Sequence, residues 1–135
     1  MSNSIIFGTG TPRSGGTLVS NILSVHKDVI ITTDLLHFFR HIYEKYSPIN
    51  KLSNQYKLVH EMCARIKYRQ RINFSPEEIL SYFKKVENYN DVIISISNFF
   101  LSKNKTKKII GEYSNGEWRN IKDFLELDKR YKSFQ

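Results

Sequence analysis

The sequence predicts an α/β fold: a P-loop-type three-layer α/β/α arrangement around a parallel sheet, with a helical insertion. Three observations predict it. An apolar run, Ile5-Ile6-Phe7, enters a glycine-rich turn, and an amphipathic run, Thr17 to Val25, leaves it. A β-branched run, Val29-Ile30-Ile31, follows. Strand, helix and strand within about thirty residues make a βαβ unit, which implies parallel strands and a right-handed crossover. A third short run, Lys107 to Ile110, comes after a long block with helical periodicity.

Residues 4–8 read as a buried central strand, because the run is continuously apolar rather than alternating. The helix after the loop places Leu18, Ile22 and Val25 on one face, with Val19 and Leu23 adjoining. Asp28 to Thr32 is the second strand. Asp34 is placed to cap a helix running to about Tyr46, with Leu35, Phe38, Phe39 and Ile42 apolar. Ser47-Pro48-Ile49-Asn50 breaks the chain. Asn54 to Arg71 is expected to be helical, with Tyr56, Val59, Cys63 and Ile66 inward. Ser75 and Glu78 have capping-box spacing and Pro76 suits a first helical position, so a helix is expected to about Glu87. Val92, Ile93, Ile96, Phe99 and Phe100 predict a helix over Asp91 to Lys103, with a strand as the alternative. After the third strand, Glu112 to Gly116 reads as a loop and Glu117 to about Asp128 as a helix. Tyr131 to Gln135 begins a further strand. The expected organisation is one domain over 1–135, with residues 48–104 inserted between the second and third strands.

Four of the six glycines lie between positions 8 and 16. Glycine lets backbone approach a ligand closely and accepts positive φ. The N–H groups of Gly15, Gly16, Thr17 and Leu18 open a helix, so they lack helical acceptors and suit anionic oxygens. Gly10-xxxx-Gly15-Gly16-Thr17 fits the phosphate-binding loop pattern except that Gly16 stands where a lysine is expected. The loop's cation is Arg13. ATP or GTP hydrolysis of the ordinary kind needs that lysine, so it is not expected.

Thr11-Pro12-Arg13-Ser14-Gly15-Gly16-Thr17-Leu18, followed by Asn21-Ile22-Leu23 and His26, resembles the 5′-phosphosulfate-binding loop and first helix of sulfotransferases. The common family form reads Pro-Arg-Ser-Gly-Thr-Thr-Leu and later His-Pro; here Gly16 replaces the first threonine and Lys27 the proline. The resemblance is strongest over residues 5–38 and returns over 108–135. It implies 3′-phosphoadenosine 5′-phosphosulfate (PAPS) as co-substrate, without a metal. It also implies transfer of the sulfuryl group to a hydroxyl or amine acceptor.

The resemblance places Gly10, Thr11, Pro12, Arg13, Ser14, Gly15, Gly16, Thr17 and Leu18 around the sulfonucleotide. Arg13 would reach the bridging oxygen and stabilise charge on the leaving nucleotide. An attacking hydroxyl must lose its proton, so a base is expected nearby. Ungapped counting from the loop arginine puts Asp34 where tyrosylprotein sulfotransferases carry a glutamate base, at the carboxyl end of a strand. Helix capping is the competing role for Asp34. His37 is an alternative base or substrate contact, and His41 lies one turn on, with no third ligand spacing for a metal. His26 matches the family's helix-ending histidine, and His60 reads as an ordinary helix residue. Gly111-Glu112-Tyr113-Ser114 stands where the family often has Gly-Glu-Lys-Thr, making Glu112 a candidate substrate contact. Trp118 reads as a core or lid aromatic.

The family's second signature, an Arg-Asp-Pro-Arg stretch and a helix serine for the 3′-phosphate, would begin where Ser133-Phe134-Gln135 stands. The resemblance therefore suggests an N-terminal fragment that is inactive alone, with a strand edge and apolar helix faces uncovered.

A net charge of +8 favours anionic partners, and its short runs, Arg65 to Arg71 and Lys103 to Lys108, suit solvated helix faces. No nucleic-acid-binding module pattern occurs, so nucleic acid is not an expected partner. Cys63 is the single cysteine, excluding an internal disulfide and reading as a buried apolar residue. No apolar run reaches membrane-spanning length and no leader pattern is evident, which predicts a cytoplasmic protein. A homo-oligomer is compatible with the sequence. The competing functions are another P-loop phosphotransferase, such as a nucleotide kinase, and a non-catalytic nucleotide-binding module.

Overall fold

The computed structural model describes residues 4–116, 122, 126 and 132–134. Strand β1 (Ser4–Gly10) leads into helix α1 (Gly16–Val25) and strand β2 (Val29–Thr33). Four helices follow: α2 (Phe38–His41), α3 (Leu52–Gln70), α4 (Pro76–Leu80) and α5 (Tyr89–Lys103). Strands β3 (Ile109–Asn115) and β4 (Lys132–Phe134) come last among the described elements. The sheet has the order β2-β3-β1-β4 and every pairing is parallel. The mixed α/β class with a parallel sheet is therefore as expected. The helix expected over Glu117 to Asp128, and Trp118 within it, lie outside the described residues apart from Lys122 and Glu126, whose side chains approach to 3.7 Å.

Register assigns the sheet's two faces. Ile5 pairs with Ile110 and Phe7 with Glu112, so these point one way. Ile6, Gly111, Tyr113 and Ile31 point the other. The first face belongs to the main core, where Ile5, Phe7 and Ile110 join Leu36, Phe39, Ile96 and Phe100 of the helical segment. Phe7 meets Phe39 edge to face at 5.0 Å. The second face carries a smaller cluster of Val29, Ile31 and Tyr113 with Leu23 of α1 packed against it.

Helix α1 turns its small residues toward the sheet. Ser20 is fully buried and donates to Gly16 O at 2.8 Å. Ser24 Oγ accepts from Ile31 N at 2.9 Å. Gly16, Ser20 and Ser24 recur every fourth residue and form one stripe. The apolar stripe of Leu18, Ile22 and Val25 faces solvent, with exposures of 64%, 61% and 85%. His26 ends the helix, its Nδ1 accepting from Asp28 N, and Lys107 Nζ donates to the carbonyls of Ser24 and His26. A cation there satisfies terminal carbonyls and opposes the helix dipole.

Several local expectations shift. The helix expected from Asp34 to Tyr46 is only the short α2, because Asp34 and His37 both adopt positive φ of 49°. Leu35, Phe38, Phe39 and Ile42 are buried all the same. In α3, Val59, Cys63 and Ile66 point inward with Leu58 and Met62, but Tyr56 is 49% exposed and its ring stacks near that of His60. Burial pushes the Cys63 thiol up to about 11. Helix α4 stops at Leu80 rather than near Glu87. Pro76 does take the first turn, but Ser75 Oγ donates to Glu77 and no capping box forms there. The box forms instead at Asn88 and Asp91, opening α5. Strand β3 continues through Glu112 to Asn115, where a loop was expected.

Candidate functional site

The site lies at the carboxyl ends of β1, β2 and β3, where connections from the central strands leave in opposite directions, the usual crevice of an open parallel sheet. Gly116 N donates to Gly10 O at 3.0 Å, and Asp34 N to Tyr113 O at 2.8 Å, holding the three ends together.

Between β1 and α1 the chain makes a tight turn, with Ser14 N on Thr11 O at 3.2 Å. Arg13 (φ 70°) and Gly15 (φ 82°) are both left-handed. The first N–H to find a helical carbonyl is that of Val19, on Gly15 O at 3.1 Å. Among the described residues, the N–H groups of Gly15, Gly16, Thr17 and Leu18 have no hydrogen-bond acceptor. Thr11 to Gly15 and Thr17 are open to solvent. Open N–H groups at a helix start, with an exposed arginine in the same turn, have the chemistry that suits anionic oxygens.

Tyr113 supports the cradle from below. It is 2% exposed, and its hydroxyl lies 3.4 Å from Ser14 Oγ and donates to Asn115 Oδ1 at 3.1 Å. A Cβ added at Gly16 would lie 1.7 Å from Tyr113 Cζ. The two departures from the common sulfotransferase pattern, Gly16 for threonine and Tyr113 for lysine, are therefore one structural feature. The ring occupies the space a residue-16 side chain would need.

Asp34 is held by β3. Asn115 N donates to its Oδ1 at 2.9 Å, and Asn115 Nδ2 to its Oδ2 at 3.2 Å. His37 Nε2 sits 3.5 Å from Asp34 Oδ1, with side-chain exposures of 7% and 23%. Asp34 does not cap α2. That work falls to Glu112, whose carboxylate accepts from His37 N at 2.9 Å and also from the N–H groups of Leu36 and Phe38. Glu112 thus fixes the backbone that carries His37. The rings of His37 and His41 meet edge to face at 5.8 Å. Burial, then the charge of Arg65, lowers the His41 pKa, followed by His37 and Arg40.

Pro12, Asp34, His37, Arg40, Arg69 and Asn115 line one cleft of about 590 Å³. The structure therefore brings the edge of the glycine loop to the Asp34–His37 pair. Sequence reasoning missed Asn115, Arg40 and Arg69. A shared departure at positions 16 and 113 was the available signal for Tyr113, and no comparable signal marked the others.

A parallel α/β sheet thus carries, at its carboxyl edge, a glycine-rich turn with open N–H groups and Arg13. A model of the sulfotransferase family matches residues 5–128. The chain belongs to the sulfotransferase family. Comparison with curated proteins and with solved structures gave no match, so the family model carries the assignment. Among the described residues, no helix is long and apolar enough to cross a membrane.

Proposed function

We propose that the chain binds PAPS at the β1–α1 loop and positions it for sulfuryl transfer to a hydroxyl or amine of an acceptor in the adjoining cleft. The arrangement of Gly10 to Leu18 on a P-loop-like strand, turn and helix, with helices against both sheet faces, supports a three-layer sulfotransferase domain. The observation that carries the reading is the set of N–H donors at Gly15 to Leu18 beside Arg13, within a family-matched segment.

In the proposed reaction the acceptor oxygen attacks sulfur in line. The new S–O bond forms as the bond from sulfur to the bridging oxygen breaks. The leaving 3′-phosphoadenosine 5′-phosphate keeps the bonding pair, and Arg13 with the loop N–H groups stabilises its charge. Ser14 and Thr17 add hydroxyl donors. Asp34 takes the acceptor's proton, held in place by Asn115 and flanked by His37. Glu112 serves this scheme as a positioning residue rather than a substrate contact.

Calorimetric titration with PAPS and with Mg–ATP tests the proposal. PAPS should bind, and Arg13→Ala should weaken it about tenfold or more, the worth of a charge-assisted hydrogen bond. Asp34→Asn should leave that affinity unchanged. Tighter binding of Mg–ATP than of PAPS would instead favour a phosphotransferase.

A further inference from the structure

The cleft beside Asp34 has a wall that the proposed chemistry does not use. Arg40 comes from α2 and Arg69 from the last turn of α3, and both line the cleft with Asp34 and His37. Both are exposed, and among the described residues neither has a carboxylate within 4 Å. Arg65, one turn before Arg69, donates from Nε to Leu36 O at 3.3 Å. One face of α3 therefore directs arginines at the segment that carries His37. The cleft's lining carboxylate is Asp34, whose oxygens are already engaged by Asn115. Two guanidinium groups against one tied carboxylate leave the cleft net positive.

The donor nucleotide does not account for these charges. Its sulfuryl end is served by the loop donors and Arg13, and Pro12 is the part of that loop that reaches the cleft. Arg40 stands on α2, just after Asp34's segment, and Arg69 on α3, within the helical insertion. We infer that Arg40 and Arg69 form an anion subsite for the acceptor, which carries a carboxylate or sulfate group beside its nucleophilic hydroxyl. Guanidinium pairs match both groups bidentately. Assigning the anion to the acceptor rests on the sulfotransferase reading; the anion subsite itself does not.

The test titrates the 135-residue chain, with and without PAPS, against glucose 6-sulfate, glucuronate and glucose. At least one of the two anions should bind about tenfold or more tightly than glucose. The Arg40→Ala/Arg69→Ala variant should abolish that preference, while Arg13→Ala keeps it in the absence of PAPS. The lysine double variant should recover part, because it restores charge without the fork. PAPS affinity should be the same in wild type and the alanine double variant. Equal binding of all three sugars, or an unchanged preference in the double variant, overturns the inference. So does a loss of PAPS affinity in that variant, since the arginines would then read the nucleotide. Anion binding by Arg40 and Arg69 in a chain that fails to bind PAPS would sink the sulfotransferase reading while leaving the subsite standing.

Discussion

Gly16 and Tyr113 illustrate how one side chain dictates another. The Tyr113 ring fills the space beneath the loop, and its hydroxyl joins Ser14 to Asn115 and so to Asp34. Alanine in a helix ordinarily gains up to about 1 kcal/mol over glycine. Here a Cβ would lie 1.7 Å from a buried ring atom. Gly16→Ala should therefore cost about 1–3 kcal/mol through overpacking. Tyr113→Ala should cost about 3–5 kcal/mol through the cavity it leaves. Combined, the two should cost less than their sum by more than about 1 kcal/mol, because the added methyl then enters the vacated space. Urea unfolding of the four proteins measures the cycle, and strict additivity would show that the ring does not exclude a side chain at position 16.

At the scale of elements, β1 and β2 were legible because their patterns carry one meaning, and α5 because helical spacing outweighed the β-branched content that left a strand as the alternative. Val29-Ile30-Ile31 is β-branched and short, and α5 repeats its apolar residues at helical spacing. The end of β3 was not legible. Glu112, Tyr113 and Asn115 look like loop residues, but distant partners satisfy them: the α2 N–H groups, Ser14 and Asp34. Asp34 likewise has the look of a cap, and only the approach of β3 gives its carboxylate to Asn115. The candidate loop was readable from glycine spacing, whereas the cleft depended on α3 crossing near α2. Helix α1 supplies the sharpest contrast. Its apolar stripe would ordinarily be assigned to the core, yet the stripe of Gly16, Ser20 and Ser24 faces the sheet. Small residues permit the close approach that the hydrogen bond between Ser24 and Ile31 requires. Ile22→Lys should consequently stay within about 0.5 kcal/mol of wild type, as an exposed substitution does. Leu23→Lys should lower the melting temperature, since Leu23 packs on Val29, Ile31 and Tyr113. The reverse order in thermal melts would show that the stripe is covered.

At the scale of the molecule, the sheet and the helical segment share one core, and Glu112 adds a polar tie between them. It stands on β3 in the middle of the sheet and accepts from three successive N–H groups of Leu36, His37 and Phe38, all buried residues. These N–H groups open a short helix that has no side-chain cap of its own at His37. Removing the carboxylate leaves buried donors without their charged acceptor, which costs about 1–3 kcal/mol. Glu112→Ala should therefore lower the global stability by that amount and speed hydrogen exchange at Leu36 to Phe38. Glu112→Gln keeps an acceptor oxygen and should recover part of both effects. Because the β1–α1 loop makes no hydrogen bond to Glu112 among those described, affinity for the donor nucleotide should survive either substitution. An unchanged melting temperature in Glu112→Ala would show that water replaces the carboxylate at no cost. In that case the apolar contacts of the shared core, Phe7, Ile110, Phe39 and Phe100 among them, would carry the joint between the helices and the sheet.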